Sequence, residues 1–267
     1  MLIERTIKSK LLQLLKSFPA VTLTGCRQCG KSTLLKHLLP DYTYISLEDL
    51  DIRQIAKEDP RHFISIYSKN VIIDEIQQVP ELLSYLQTHI DLVNESGMYV
   101  LTGSQKFELM KNLSESLAGR TAVLELEGLD WEEYKNAPCF ADQNPAEFDT
   151  FVGRGGFPEV TREPDIPLDM FFSSYLATYL ERDVRKLVNV MNLRSFERFI
   201  RLLAVRNAQQ LDMADLANNL GISSNTVSSW VSVLETSGQI TLLEPWFGNL
   251  GKSIVKTPKV YFNDTGL

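Results

Sequence analysis

Gly25-Cys26-Arg27-Gln28-Cys29-Gly30-Lys31-Ser32 fits the pattern G-x-x-x-x-G-K-[ST], and its flanks decide the fold. Ala20-Val21-Thr22-Leu23-Thr24 enters it as a short, β-branched run, the pattern of a buried strand. Thr33-Leu34-Leu35-Lys36-His37-Leu38-Leu39 leaves it as a helix that Pro40 stops. Strand, glycine-rich turn and helix make a cup for a polyphosphate. Backbone N–H groups converge at a helix N-terminus, where the helix dipole is positive. Gly25 and Gly30 let the backbone turn tightly and approach the phosphates. Lys31 is expected to put its charge on the β- and γ-phosphates, and Ser32 to offer a hydroxyl to Mg²⁺.

Val71-Ile72-Ile73-Asp74-Glu75 supplies the acidic partner. A wholly apolar strand belongs in the middle of a parallel sheet covered on both faces. Ligands of such sheets sit beyond the carboxyl ends of the strands. Asp74 is therefore expected to hold Mg²⁺, which takes few carboxylates beside water and phosphate oxygens. Glu75 is expected to orient and polarise the attacking water. Met98-Tyr99-Val100-Leu101-Thr102-Gly103-Ser104-Gln105 is a third buried strand with a polar end. Ser104 there either bonds the γ-phosphate or the water, or caps a helix, and both roles are compatible.

Composition narrows the class. The 267 residues are enough for a large core and two or three domains. No apolar run approaches the ~20 residues that span a bilayer, and no membrane contact is expected. Met1 to Phe18 mixes Arg5, Lys8, Lys10 and Lys16 with leucines. It has no cleavage signature and reads as an amphipathic helix of the fold. The net charge of −7, from 27 basic and 34 acidic residues, argues against a surface coated for non-specific nucleic-acid binding. The cysteine usage fits a reducing, cytoplasmic setting. Cys26 and Cys29 form a C-x-x-C inside the loop, with Cys139 far away in sequence. Without a second pair, zinc is a poor fit. The pair is either small filler or a thiol–disulfide switch that closes the loop to nucleotide. His37, His62 and His89 form no constellation.

Residues 1–127 read as the α/β core. The strands Val21–Thr24, Tyr42–Ser46, Val71–Asp74, Tyr99–Gly103 and Ala122–Leu126 alternate with helical stretches. This predicts a parallel sheet with helices on both faces, with extra strands between the loop strand and the acidic strand. Residues 128–194 are acidic, twelve acids to seven bases, and rich in aromatics. They are expected to form a helical lid, with Met170 to Val190 as one long helix. Residues 195–267 read as a winged helix: a helix over Leu211–Leu220, a turn at Gly221-Ile222-Ser223 and a second helix over Ser224–Thr236. The strands Ile240–Leu243 and Lys259–Phe262 follow, with a Gly/Lys-rich hairpin between them. The second helix begins Ser224-Asn225-Thr226-Val227-Ser228-Ser229-Trp230 and carries no Arg for guanine. Asn225 is its one base-reading candidate, and Lys252, Lys256 and Lys259 could touch phosphates. DNA binding and a protein-facing role stand equally open.

Taken jointly, several motifs resemble a prokaryotic family of AAA-type P-loop ATPases, related to archaeal and signal-transducing ATPases. They are the loop through Thr33, Asp74-Glu75-Ile76-Gln77, Leu101-Thr102-Gly103-Ser104, Leu117-Ala118-Gly119-Arg120, Gly155-Gly156-Phe157-Pro158-Glu159, Tyr179-Leu180-Glu181-Arg182-Asp183 and Asp264-Thr265-Gly266-Leu267. The family usually has Pro and Val where Cys26 and Cys29 stand, and Thr more often than Ser at 32. It also continues past the last motif into a nuclease-like domain, so this chain is expected to be a truncated or short form.

The resemblance implies ATP rather than GTP, and no N-K-x-D guanine motif is present. It implies that Gly25, Cys26, Arg27, Gln28, Cys29, Gly30, Lys31, Ser32 and Thr33 hold the nucleotide. It also implies that Arg120 and Arg182 could reach the γ-phosphate, within the chain or on a neighbour. The alternatives are a salt bridge of Arg120 to Glu125 or Glu127, and a local pair for Arg182. The implied activity is slow ATP hydrolysis driving a conformational switch. A nucleotide-regulated DNA-binding protein is the rival, and assembly into a homo-oligomer is left open.

Overall fold

The computed structural model describes residues 2–103, 116–140, 146–179, 193–246 and 257–267. They divide into two compact units, Met1–Phe151 with Phe157–Arg162, and Val152–Gly156 with Glu163–Leu267.

The first unit is built on five parallel strands: β1 Ala20–Thr24, β2 Thr43–Ser46, β3 Val71–Asp74, β4 Tyr99–Gly103 and β5 Thr121–Glu125. Their order is β2-β3-β4-β1-β5. Each lies within one residue of its position in the sequence reading, because each is a short β-branched or apolar run with local punctuation. Where extra strands were expected between the loop strand and the acidic strand, the sheet has a single one, β4, which pairs with β1 on one side and β3 on the other.

Alternation along the strands sorts the core into two faces. Val21, Leu23, Ile72, Val100 and Leu124 pack with Leu11 and Leu15 of α1 (Lys8–Leu15) and with Leu34 and Leu35 of α2 (Lys31–Leu38). Ala20, Val71, Ile73, Tyr99 and Leu101 pack with α3 (Leu50–Glu58), α4 (Pro60–Ile66) and α5 (Leu82–Val93) through Ala56, Phe63, Leu82, Leu83 and Leu86. The sheet therefore has helices on both faces, the α/β architecture that the sequence predicts. The helix starts are locally encoded. Asp49 caps α3 by accepting from the amides of Asp51 and Ile52, and Asp59 caps α4 at His62 with Pro60 in its first turn.

The segment expected as a lid over 128–194 is shared between the two units. Trp131, Tyr134, Phe148 and Phe151 form an aromatic cluster in the first. Of the long helix read over Met170 to Val190, Leu168–Tyr179 is helical and 180–192 lie outside the described residues.

In the second unit, helices Met213–Leu220 and Ser224–Thr236 are joined at Gly221, whose φ of 67° ends the first one. Ser223 caps the second by accepting from the Thr226 amide at 3.1 Å. Strands β6 (Ile240–Leu243) and β7 (Lys259–Phe262) pair antiparallel, and Gln210 adds a single bridge to Lys259. Phe196, Phe199, Leu216, Val227, Trp230, Ile240 and Val260 make its core. The Asp264 carboxylate accepts from the amides of Gly156 (2.7 Å) and Gly266 (2.9 Å), which ties the last motif to Gly155-Gly156 inside this unit.

Candidate functional site

The phosphate loop sits at the carboxyl end of β1. Gly25 has φ 147°, and a Cβ there would lie 2.0 Å from the carbonyl oxygen of Leu126. Gly30 has φ 98° and starts α2 from the left-handed region. Lys31 is buried, and its Nζ donates to the carbonyls of Gly25 and Cys26, each at 2.8 Å. This holds the ammonium across the mouth of the cup. Ser32 is half-buried on the first turn of α2, while Thr33 is exposed.

Asp74 ends β3 and is buried. Three hydroxyls from three other elements converge on it. Tyr44 of β2 donates to Oδ2 at 2.5 Å, Ser32 to the same oxygen at 3.4 Å, and Thr102 of β4 to Oδ1. The register explains this, since Ser46 pairs with Asp74 on one side and Leu101 with Ile73 on the other. Ser32 and Asp74, read as the metal-holding pair, are thus brought together. Their hard oxygens suit Mg²⁺ completed by phosphate and water.

Glu75 follows in the left-handed region (φ 57°), so the chain turns sharply at the strand end and aims this carboxylate separately from Asp74. It too is buried. Burial raises its pKa, Lys31 pulls it down, Asp74 raises it again and Arg27 lowers it. Gln77, in the short turn Ile76–Gln78, donates Nε2 to Glu75 Oε2. Lys31 and Arg27 of the loop therefore share one electrostatic environment with Glu75. Gln28 stands in the left-handed region (φ 60°) on the exposed side of the loop.

Cys29 is fully buried beneath the loop, with Sγ 3.9 Å from Lys31 Nζ. Its thiol is lowered to about 6, first by a hydrogen bond from Cys26, against burial, then by the charges of Lys31 and Arg5. Arg5 is the residue that sequence reasoning passed over. It is buried, and its Nη1 donates to the Cys29 carbonyl at 2.7 Å. Its Nε pairs with Glu133 at 2.8 Å, and its Nη2 donates to the carbonyls of Glu127 (2.7 Å) and Gly128 (3.0 Å). Glu133 completes a capping box with Asp130, the one local signal that could have marked it.

The expectation that Arg120 reaches the γ-phosphate is corrected within one chain. Arg120 precedes β5, and its carbonyl accepts from the amide of Ala20, at the start of β1. At about 3.3 Å per residue, the strand's length separates it from the loop. Its partner is neither Glu125 nor Glu127 but Asp91, met by Nε at 2.5 Å and by Nη2 at 2.8 Å. Ser104, Arg182, Lys252 and Lys256 lie outside the described residues. Among the described residues no group of three or more His, Cys, Asp or Glu could hold a metal, and no helix is long and apolar enough to cross a membrane.

Two segments of the chain match family models. Residues 17–135 match an AAA domain, and residues 145–267 match a domain of unknown function, DUF8612. Uncharacterized proteins of Mycobacterium bovis and Mycobacterium tuberculosis are each 32% identical over 272 residues, covering 100% of this chain and 59% of the relative. An uncharacterized protein of Methanocaldococcus jannaschii is 26% identical over 246 residues, covering 82% of this chain and 55% of the relative. The chain thus spans little more than half the length of these relatives. Among solved structures, the Walker-type ATPase of Pyrococcus abyssi superposes with a TM-score of 0.62 at 17% identity, covering 98% of this chain and 94% of that one, a likeness of fold.

Proposed function

We propose, from the match of residues 17–135 to an AAA domain, that the chain binds ATP with Mg²⁺, hydrolyses it slowly and works as a nucleotide-driven conformational switch. The reading is carried by one observation: Ser32, next to Lys31 in the loop, and Asp74, at the end of β3, face each other at 3.4 Å. Lys31 would exchange its two carbonyl partners for phosphate oxygens. Ser32 and Asp74 would hold Mg²⁺, which when bound neutralises phosphate charge. Glu75 would take a proton from water as the oxygen adds to the γ-phosphorus and the bond to the β-phosphate oxygen breaks. Burial raises its pKa, which makes it a stronger base than a free carboxylate. Slow turnover follows if the charge that Arg120 was expected to supply must come from elsewhere, such as a partner or another copy.

The test is calorimetry of reduced protein with ATP and Mg²⁺, followed by turnover and light scattering. Lys31→Ala is expected to lose binding. Glu75→Gln is expected to bind without hydrolysing and to hold the nucleotide-bound state. Wild-type protein that gives no heat with ATP overturns the reading, and a Glu75→Gln protein that hydrolyses at the wild-type rate removes Glu75 from the role of base.

A second reading takes the helix–turn–helix and strand pair of the second unit as a winged helix that binds DNA under nucleotide control. The exposed Ser224, Asn225, Ser228 and Ser229 on the second helix favour it. It requires duplex binding that weakens steeply with salt and drops when Lys252, Lys256 and Lys259 are replaced. Duplex binding that is absent at low salt removes it.

A further inference from the structure

Tyr44 links the two side chains assigned to the metal. It lies on β2, and the register of Tyr44 with Ile72 and of Ser46 with Asp74 puts it on the sheet face that carries Asp74. Its hydroxyl donates to Asp74 Oδ2 at 2.5 Å, the oxygen that Ser32 also approaches at 3.4 Å. The three oxygens form one cluster at the mouth of the loop. The ring is held from α2, where the Lys36 ammonium sits 3.8 Å from its centroid, one turn beyond Ser32. Thr102 tethers the other oxygen of Asp74 from the strand on the opposite side.

A hydroxyl at this place is not needed to fill the fold, since a phenylalanine has the same ring. Its partners are the two residues that would hold the cation. We propose that Tyr44 is a positioning residue of the divalent-cation site, holding Asp74 and Ser32 in the orientation that a small octahedral cation requires. The proposal rests on the ATP–Mg²⁺ reading above. Outer partners of a ligating carboxylate fix its direction. Mg²⁺ accepts little departure from octahedral geometry, whereas Ca²⁺ tolerates more.

The experiment titrates the full chain with a fluorescent ATP analogue, in EDTA and across series of Mg²⁺ and Ca²⁺ concentrations. Tyr44→Phe is expected to raise the Mg²⁺ midpoint about tenfold or more, to shift the Ca²⁺ midpoint less and to leave affinity in EDTA within about twofold. An unmoved or lower Mg²⁺ midpoint overturns the proposal. So does a loss of affinity in EDTA as large as that in Mg²⁺, which is what a merely structural role would give. Wild-type protein whose ATP binding ignores Mg²⁺ removes the underlying reading as well, whereas wild-type dependence with an unmoved Tyr44→Phe midpoint removes this proposal alone. Should Tyr44→Phe not fold, Lys36→Ala, an exposed change that only frees the ring, is expected to raise the Mg²⁺ midpoint, and an unmoved midpoint there is the overturning result.

Discussion

Arg5 holds the phosphate loop from below, its Nη1 donating to the carbonyl of Cys29 over 2.7 Å. Tying that carbonyl back turns the amide of Gly30, on the far side of the same peptide plane, the opposite way. The guanidinium is itself fixed by Glu133 and by the carbonyls of Glu127 and Gly128. Arg5→Met leaves Glu133 charged and buried beside Thr6. Removing one partner of a buried pair costs about 3–5 kcal/mol, and urea unfolding of Arg5→Met should give a loss of that order. Arg5→Met combined with Glu133→Leu should recover part of it, and equal losses in the single and double variants would contradict the account.

Glu75 gives the site its pH dependence. Its carboxyl stands above the ordinary glutamate value because burial disfavours the charge. Hydrolysis needs the ionised base, so turnover should rise with pH through a pKa above that of a free glutamate. Stability runs the other way. A group whose folded pKa exceeds its unfolded one contributes fully below the unfolded value and loses that contribution as pH rises through the folded value. Glu75→Gln should therefore melt higher than wild type at pH 8, by a margin that narrows towards pH 5. A margin that widens on acidification would reverse the assignment.

Cys26 and Cys29 sit where oxidation can reach the nucleotide site. Cys26 is half-buried and hydrogen-bonds the buried Cys29, whose thiol near 6 is largely thiolate at neutral pH. With oxidised glutathione, Cys26 would form a mixed disulfide and release one glutathione thiol. The Cys29 thiolate would then displace the second. Drawing the sulfurs to about 2.05 Å pulls on the loop. ATP affinity should fall on oxidation and return with dithiothreitol, the oxidised wild type carrying no glutathione by mass spectrometry, while Cys26→Ser stays insensitive. A Cys26→Ser protein as oxidant-sensitive as wild type rules out the intraloop bond.

Arg120 should be dispensable for binding. Paired with Asp91 at the start of β5, it faces away from the loop. Arg120→Ala should leave the ATP affinity of one chain unchanged by calorimetry, and a large loss would mean that the pairing with Asp91 breaks when nucleotide binds.

The loop, the five strands and the two acids were legible because each is a contiguous signal. Gly25, Gly30, Lys31 and Ser32 occupy fixed offsets, and Val71–Asp74 is apolar until its last residue. Arg120 was misjudged because its motif carries no information on which end of a strand it occupies. That follows from β5 running parallel to β1, a relation between segments about a hundred residues apart.

The amino-acid order alone determined the α/β class, the phosphate cup and the carboxylate pair, since glycine geometry, helix starts and apolar runs act over a few residues. Only the tertiary structure decided that Tyr44 and Thr102 flank Asp74, that Arg5 and Glu133 anchor Cys29 and that Arg120 stands apart. Strand order and register bring those groups together, and they are set by packing the whole sheet between its helices.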